Sequence, residues 1–350
     1  MRPQNRVLAL GALLPLLAAG HADAWHGKGH HVATTLAVEA AGKGVPEFFR
    51  AGAATIAHCS LDPDLFTRPI GPDPLHSAEG PEHYFDVELL KGVAAPPTRY
   101  EFVQMCARNR VNPGTVGLLP YAVTEWTQRL TVAFAEQRAY PENPHIRAKC
   151  LVYAGLLSHY AQDLCQPLHV TVHWDGRAGT DANSPRSGIH TKVDALLGKL
   201  VFSAPDVLKA VEPAAFDMLM AGVLAEIGRS HALVDRVYEI EKELPDPDKP
   251  LPKGPAVTRF ATDRLQAAAK FTASLYLTAW KDSAKIKLPS WYGRPFSPPP
   301  QSSLNRPEAS PCQEQPRLVY TDGRSRSRGP VPRSGNRESA RGAGTDGRQY

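Results

Sequence analysis

The segment at residues 256–284 decides the fold class of this chain, and it reads AVTRFATDRLQAAAKFTASLYLTAWKDSA. Its apolar residues recur every three or four positions, as Leu265, Ala268, Phe271 and Leu275 show, which places them on one face of an α-helix. Alternation of apolar and polar residues, which indicates a β-strand, is almost absent from the rest of the sequence. The sequence therefore predicts an all-α protein.

The same helical period predicts six further helices. They are placed at residues 30–42, 46–58, 115–138, 146–166, 188–200 and 205–243, the last broken at Pro213. The connections hold most of the proline and glycine residues. The two longest, residues 59–82 and 91–114, exceed what a minimal helical bundle needs, so we expect them to be loops that form a functional site.

The composition excludes a fibrous or wholly disordered protein, because 42% of the 350 residues are hydrophobic and 21% are charged. The net charge of +5 is concentrated at the two ends of the chain. Residues 1–24 carry a charge of +1, and residues 296–350 carry nine arginines against five acidic residues. The segment 25–295 is therefore neutral, which gives no support for a basic surface that binds polyanions through counterion release.

The first 24 residues have the features of a signal peptide. Arg2 and Arg6 precede an apolar run at residues 7–19, and Ala22-Asp23-Ala24 has the small-x-small form of a cleavage site. Cleavage after this motif makes Trp25 the first residue of the mature chain. No later segment has the roughly 18 unbroken apolar residues of a transmembrane helix. We therefore expect an exported protein, periplasmic or extracellular, with no transmembrane segment.

The last 55 residues, 296–350, change in composition to Pro, Ser, Arg and Gly, with hardly any large apolar residue. Such a segment buries too little apolar surface to order itself, so we expect a disordered tail.

The five cysteines are too few for a disulfide scaffold. Cys150 and Cys165 are predicted to lie roughly 20 Å or more apart on one helix, which prevents their pairing. Cys59 and Cys106 are freer candidates for a disulfide, and Cys312 falls in the tail.

Histidine and aspartate residues carry the chemistry of this sequence. His159 precedes Asp163 by four residues, and His190 precedes Asp194 by the same spacing. Side chains four residues apart share one face of a helix, with Cβ atoms about 5–6 Å apart, so an imidazole and a carboxylate can reach one metal ion. A single pair is weak evidence, because it is more often an ordinary hydrogen bond on a helix surface. We interpret a third copy, His58 with Asp62, in that way.

The motifs in their order resemble the superfamily of zinc-dependent phospholipases C and S1/P1 nucleases, from Trp25 to about Trp280. Each motif has a candidate metal ligand at a characteristic position. They are Trp25-His26-Gly27-Lys28-Gly29-His30, Ser60-Leu61-Asp62-Pro63-Asp64, Pro81-Glu82-His83-Tyr84, the run SHYAQDLCQPLH at residues 158–169, and Ile189-His190-Thr191-Lys192-Val193-Asp194. The resemblance implies a single helical catalytic domain at residues 25–295, with a zinc cluster in a cleft between helices.

The resemblance also implies three zinc ions per chain. The first would be bound by Asp64, His83, His159 and Asp163. The second would be bound by the α-amino group and carbonyl oxygen of Trp25, by His30 and by the shared carboxylate of Asp163. The third would be bound by His169, His190 and Asp194.

Two of these assignments have rivals in the sequence. Asp62 competes with Asp64, although Pro63-Asp64 is more similar to the Pro-Asp form of the family. His26 and His31 flank His30, but only His30 lies at the offset from the new N-terminus that the family has.

The activity implied by the resemblance is that of a zinc-dependent phosphoric diester hydrolase. A zinc-bound hydroxide would attack phosphorus in line, with Asp64 and Asp163 as the catalytic carboxylates. The run Gln166-Pro167-Leu168-His169 is more similar to the nuclease branch, whereas His190-Thr191-Lys192-Val193-Asp194 is at least as similar to the phospholipase C branch. We therefore expect a nuclease that acts on single-stranded nucleic acid, with a phospholipase C that acts on phospholipid headgroups as the alternative.

A third hypothesis is a secreted helical protein that binds metal without catalysis. Such a protein would lack one ligand, and none of the expected positions is empty in this sequence. We expect a monomer whose partner is its phosphodiester substrate, without a protein partner. Candidates for a base or choline platform are Tyr121, Trp126 and Trp174, although aromatic residues of this kind more often lie in a core.

Overall fold

Fifteen α-helices form the regular structure of the residues that the computed structural model describes, 25–67 and 73–296. They are α1 (His30–Ala41), α2 (Glu47–Ala51), α3 (Ala53–Cys59), α4 (Asp62–Phe66), α5 (Asp73–Glu79), α6 (Arg99–Arg108), α7 (Pro113–Val116), α8 (Leu119–Ala139), α9 (Pro144–Leu164), α10 (Ile189–Asp194), α11 (Leu196–Lys199), α12 (Ala204–Leu208), α13 (Leu219–His231), α14 (Val234–Glu239) and α15 (Pro255–Ser283). These ranges contain no strand, and the one β-bridge within them joins Trp174 to Gly176. The all-α fold predicted from the sequence is confirmed.

Five short helical turns complete the regular structure of the same ranges, besides a π-helical turn at Trp25–Gly29. They are the 3-10 turns Gly42–Gly44, Gly80–His83, Val87–Leu90, Pro167–Val170 and Glu241–Glu243.

The core lies between helices α1, α8, α9 and α15, which pack on one another, while α3 covers α1 and α9. An aromatic cluster fills its centre. The ring of Phe49 lies 5.4 Å from that of Phe134 and 5.0 Å from that of Tyr276, and the Trp280 ring lies 5.3 Å from Phe134. Burial of each phenylalanine stabilises the fold by about 1.5–3 kcal/mol. Tyr276 of this cluster also forms a hydrogen bond with Ser158 of α9, the helix that carries two of the candidate ligands.

Helices α3 and α9 are in close contact at Gly155. A Cβ atom on this residue would lie 2.5 Å from Cys59 Cβ and 2.7 Å from the carbonyl oxygen of Ile56. Only glycine leaves room for this contact. The close contact at Gly155 places the carbonyl oxygen of Ser60, at the end of α3, 2.8 Å from His159 Nδ1 in the next turn of α9.

The expectation that residues 59–82 and 91–114 are loops is wrong in part. The first contains α4 and α5, and the second contains α6 and α7. Helix α6 begins with a capping box, in which Thr98 and Glu101 each bond the backbone amide of the other. Two orphan amides at the helix start are thereby satisfied, a local effect that apolar periodicity does not detect.

The predicted helix 205–243 does break at Pro213, as expected, because the chain leaves the helical conformation between α12 and α13, and it breaks a second time between α13 and α14. Pro213 lacks an amide hydrogen, and the following amides bond to α15 instead of to their own segment. The amide of Ala214 donates to Ser274 Oγ at 3.2 Å, and the amide of Phe216 donates to Thr278 Oγ1 at 2.9 Å.

The other predicted helices have small errors at their ends or are divided. The prediction 46–58 is divided at Gly52 into α2 and α3, and 188–200 is divided at Ala195 into α10 and α11. The prediction 115–138 starts too early, because Gly117 has a φ of +96° and separates α7 from α8.

Four cysteines, Cys59, Cys106, Cys150 and Cys165, are buried as free thiols. The candidates Cys59 and Cys106 therefore form no disulfide in this structure. None of the described helices combines the length and apolar character needed to cross a membrane. The expected signal peptide at 1–24 and the tail from residue 297 onward, with Cys312, lie outside the described residues.

Candidate metal centre

Helix α9 places His159 and Asp163 on its most buried face. Asn143 caps the start of this helix through its side chain, and Pro144 follows at the first turn, where no amide is needed. The last three turns are almost fully buried, with His159 0% and Asp163 2% exposed. The two residues are four positions apart, and Nε2 of His159 lies 3.3 Å from Oδ2 of Asp163.

The Asp163 carboxylate is the point at which three histidines from separate elements meet. His30 Nε2, from the start of α1, lies 3.4 Å from Oδ1. His83 Nδ1, from the turn Gly80–His83, lies 3.0 Å from Oδ2, the oxygen that also faces His159. The two oxygens of Asp163 thus face different sets of donors, an arrangement suited to a carboxylate shared by two ions.

Asp64 and not Asp62 joins this group. Asp64, His83 and His159 offer ligand atoms that all lie within 4.8 Å of one another, as do His30, His159 and Asp163. His159 Nε2 lies 3.9 Å from Asp64 Oδ1. The other oxygen, Oδ2, is buried and has no hydrogen-bond partner.

A third group consists of His169, His190 and Asp194, again with ligand atoms within 4.8 Å of one another. Asp194 Oδ1 lies 3.7 Å from His169 Nε2, and Oδ2 lies 3.0 Å from His190 Nε2. His169 Nδ1 also lies 3.8 Å from Asp163 Oδ1. The third group is therefore adjacent to the other two, and the structure brings all eight expected side-chain ligands together.

Each of the five histidines has an outer partner that orients its ring. Three Nδ1 atoms contact backbone carbonyl oxygens: His159 that of Ser60 at 2.8 Å, His169 that of His83 at 2.8 Å and His190 that of Trp174 at 3.2 Å. His30 Nδ1 lies 2.8 Å from the side-chain amide group of Gln162. An N–H···O bond on Nδ1 leaves Nε2 with the lone pair that a metal needs.

His83 is oriented the other way round. Its Nδ1 faces Asp163 and His159, while its Nε2 lies 3.5 Å from Glu79 Oε1. Neither Glu79 nor Gln166 was predicted as an outer partner; the Gln166 side-chain amide donates to Asp194 Oδ1 at 2.8 Å. The signal for Glu79 was its i,i+4 spacing to His83 within an expected loop.

The charges of the buried groups are strongly coupled. Burial opposes ionisation of Asp163 and Asp194, but the surrounding histidines outweigh it and hold the pKa of both carboxyls well below the usual range. Burial also opposes protonation of His83, yet hydrogen bonds to Asp163 and Glu79 raise its pKa to about 10. The pKa of His159 is instead lowered, by burial and by neighbouring His30. A metal cation that binds such a cluster displaces the protons that the histidines hold.

The geometry fits zinc. Ligand atoms at about 2.1 Å from a tetrahedral ion lie about 3.4 Å from one another. The separations between histidine nitrogens and carboxylate oxygens inside the three groups range from 3.0 to 3.9 Å. Imidazole and carboxylate donors suit zinc, and the buried, unpartnered Oδ2 of Asp64 is the oxygen that such an ion would satisfy.

The N-terminal segment lies beside the third group. The π-helical turn Trp25–Gly29 packs against α1, α10 and α11, and α10 carries both His190 and Asp194. His30 is buried, whereas its neighbour His31 is exposed. The expected roles of the Trp25 amino group and carbonyl oxygen stay predictions.

Of the three aromatic candidates for a substrate platform, Trp174 is the one beside the centre. Its half-buried ring meets the His190 ring edge to face at 5.6 Å. Tyr121 is a core residue, 1% exposed, whose hydroxyl donates to the Pro96 carbonyl oxygen. Trp126 packs against Tyr153.

No family model matches this chain, and no curated protein matches it. Among solved structures, the alpha toxin from Clostridium absonum is similar with a TM-score of 0.40 and 12% sequence identity. The match covers 75% of this chain and 64% of the toxin chain, so this chain spans less than two thirds of the toxin's length.

Proposed function

We propose that this chain is a zinc-dependent phosphodiester hydrolase. The observation that carries the proposal is the convergence of His30, His83 and His159 on the two oxygens of Asp163, with a second His/Asp group adjacent to them. The ordered motifs that resemble zinc-dependent phospholipases C and S1/P1 nucleases support it. Export of the mature chain from Trp25 belongs to the same proposal.

The residues proposed to hold three zinc ions share burial, nitrogen or carboxylate donors, and short mutual distances. They are Asp64, His83, His159 and Asp163 for the first ion, Trp25, His30 and Asp163 for the second, and His169, His190 and Asp194 for the third. When bound at such a site, zinc lowers the pKa of coordinated water to about 7 and stabilises charge on phosphoryl oxygens.

The side chains of this protein would then orient the reaction. Asp64 lies with His83 and His159, and with Oδ2 on the ion its other oxygen, Oδ1, could accept a hydrogen bond from, and so orient, an attacking water. The carbonyl oxygens of Ser60 and His83 hold the rings of His159 and His169 in position. Nearly complete burial of Asp163 keeps bulk water from its carboxylate, which strengthens its electrostatic effect.

A phospholipid is the substrate class that the surroundings of Asp64 favour. Leu65 and Phe66 follow it on α4 and are 53% and 36% exposed. Exposed apolar residues next to a site suit a substrate with an apolar part at a lipid surface. The neutral charge of residues 25–295 is consistent with a substrate other than a long polyanion.

Single-stranded nucleic acid is the second candidate substrate. The half-buried Trp174 ring beside His190 can stack on a base, which does not depend on a basic surface alone. The run Gln166-Pro167-Leu168-His169, which is similar to the nuclease branch, also favours it.

Hydrolysis assays on the mature, zinc-loaded chain test the proposal. The substrates are phosphatidylcholine vesicles, single-stranded DNA, RNA and a 3'-nucleotide, each with and without a chelator. We expect chelator-sensitive turnover of phosphatidylcholine. Turnover of nucleic acid alone would assign the nuclease function, and zinc binding without turnover of any substrate would favour a non-catalytic metal-binding protein.

A further inference from the structure

We propose that Glu79, held in place by Tyr160, is a positioning residue that fixes the His83 ring with Nδ1 toward the metal centre. This inference rests on the proposed function, because it assigns an outer partner to one of the zinc ligands. It concerns a carboxylate that lies outside the expected ligand set.

The orientation of His83 sets it apart from the four other histidines of the centre. Its Nδ1 lies 3.0 Å from both Asp163 Oδ2 and His159 Nε2, so Nδ1 is the atom that faces the ligand group. The other four rings point Nε2 inward, and their Nδ1 atoms contact a backbone carbonyl oxygen or, in His30, the side-chain amide group of Gln162. These four rings are those of His30, His159, His169 and His190.

Glu79 supplies the partner that the reversed ring needs. His83 Nε2 lies 3.5 Å from Glu79 Oε1, one helical turn away along the chain. The Tyr160 hydroxyl donates a close hydrogen bond to the same oxygen, and its ring meets that of His83 edge to face at 5.5 Å. Because Tyr160 follows His159 on α9, the helix that carries two ligands also sets the position of Glu79.

A carboxylate partner does more than a carbonyl oxygen can. It fixes the tautomer with the proton on Nε2, raises the basicity of Nδ1 and adds a buried negative charge next to the cation. The outer nitrogen of His83 lies 3.5 Å from the Glu79 carboxylate, whereas those of His159, His169 and His190 contact backbone carbonyl oxygens at 2.8–3.2 Å. Removal of such a partner typically weakens metal affinity about 10- to 100-fold.

Glu82 offers a matched control three residues further along. It is also a largely buried carboxylate, but Arg99 binds both of its oxygens, with Nη2 2.9 Å from Oε2. Glu82→Gln therefore removes a charge from the same turn without touching the His83 ring.

The experiment compares the mature chain with its Glu79→Gln, Tyr160→Phe and Glu82→Gln variants. Zinc stoichiometry and affinity are measured by competition with a chelator, and thermal unfolding of each metal-free variant reports on folding. We expect about 10- to 100-fold weaker binding of one zinc ion in Glu79→Gln, a smaller loss in Tyr160→Phe and no change in Glu82→Gln.

Nitrogen-15 NMR of the wild-type histidine rings gives an independent readout that needs no variant. We expect the His83 proton on Nε2 in the zinc-loaded chain. A proton on Nδ1, or wild-type zinc affinity in a folded Glu79→Gln variant, would overturn the proposal. Zinc-loaded wild-type protein without phosphodiester turnover would contradict the proposed function alone, whereas absence of zinc binding would contradict both.

Discussion

The backbone carbonyl oxygen of Ser60 accepts a hydrogen bond from His159 Nδ1 at 2.8 Å. Ser60 follows the end of α3, while His159 lies in the middle of the buried half of α9. The bond therefore joins two helices and determines which nitrogen of His159 faces Asp163. Its length depends on how closely α3 and α9 approach each other.

Gly155→Val is expected to separate these two helices. The new Cβ would overlap Cys59 Cβ and the Ile56 carbonyl oxygen, and overpacking of this kind costs about 1–3 kcal/mol of unfolding free energy. The zinc affinity should also fall, because Ser60 would move away from His159 Nδ1. Gly228→Ala on α13 is the control, because nothing lies within 4 Å of the added atom. Urea unfolding and zinc titration measure both effects, and equal stability of the two variants would contradict the packing argument.

Asp163→Asn should be more damaging than Asp194→Asn. Asp163 faces three histidines through two oxygens, so its neutralisation removes negative charge from between two proposed ions, whereas Asp194 serves one group. Zinc content per chain should fall further in the first variant, and turnover with it. A full complement of zinc and near-normal turnover in Asp163→Asn would show that this carboxylate is not shared.

Asp64→Asn should abolish most turnover, and Asp62→Asn should not. Asp64 lies with His83 and His159, while Asp62, two residues away on the same short helix, belongs to none of the ligand groups of the described residues. The ratio of kcat/KM between the two variants is the measurement. Equal losses of kcat/KM in the two variants would contradict a specific role for Asp64.

A methionine retained before Trp25 should remove one zinc ion and most of the activity without unfolding the chain. A free α-amino group has a pKa of about 7.7–8.0, so a metal can displace its proton near neutral pH. An extra residue replaces that amine with an amide. Trp25→Phe with a correctly processed terminus serves as the control and should lose much less. Full zinc content and activity in a chain that keeps residues 1–24 would refute the N-terminus as a ligand.

The ion pair between Glu88 and His231 predicts a pH-dependent stability away from the metal centre. His231 Nε2 lies 2.7 Å from Glu88 Oε1, and the same carboxylate accepts bonds from the Thr171 hydroxyl and the Val172 amide. Burial opposes the shift, but these hydrogen bonds lower the pKa of Glu88 to about 2. The bond to Glu88 raises the pKa of His231 above 6.5.

The sign of the pH dependence follows from these two shifts. The contribution of His231 is complete below pH 6.5 and disappears as the pH rises through its raised value. The contribution of Glu88 is complete above pH 4.5 and disappears as the pH falls toward about 2. His231→Gln should therefore cost more unfolding free energy at pH 5.5 than at pH 9. We expect less than about 1 kcal/mol, because both groups are partly exposed.

Urea unfolding of His231→Gln, Glu88→Gln and the double variant at both pH values isolates the pair. The coupling energy should vanish at the higher pH. A loss that is the same at pH 5.5 and pH 9 would mean that His231 contributes through packing rather than through charge.

Much of the helical fold is readable from the sequence because its signals are local. The period of Leu265, Ala268 and Phe271 indicates α15 in any context, since side chains three and four residues apart share a face. Helix α6 was not predicted, although Thr98 and Glu101 form a capping box at its start, because apolar periodicity does not detect this local signal. The break between α12 and α13 was predicted at Pro213, but its hydrogen-bond partners were not, because Ala214 and Phe216 bond to residues 60 or more positions away on α15.

By itself, the sequence determined that His159 and Asp163 share one face, as do His190 and Asp194, because a helix with 3.6 residues per turn brings positions i and i+4 together. Only the tertiary structure decided that His83, 80 residues from Asp163, lies against the same carboxylate. It also placed Asp64, which the Pro63-Asp64 form already favoured over Asp62, beside His83 and His159, and it turned the His83 ring toward Glu79. The physical reason is that such contacts depend on how whole helices pack around a shared core, and no short window of sequence contains that information.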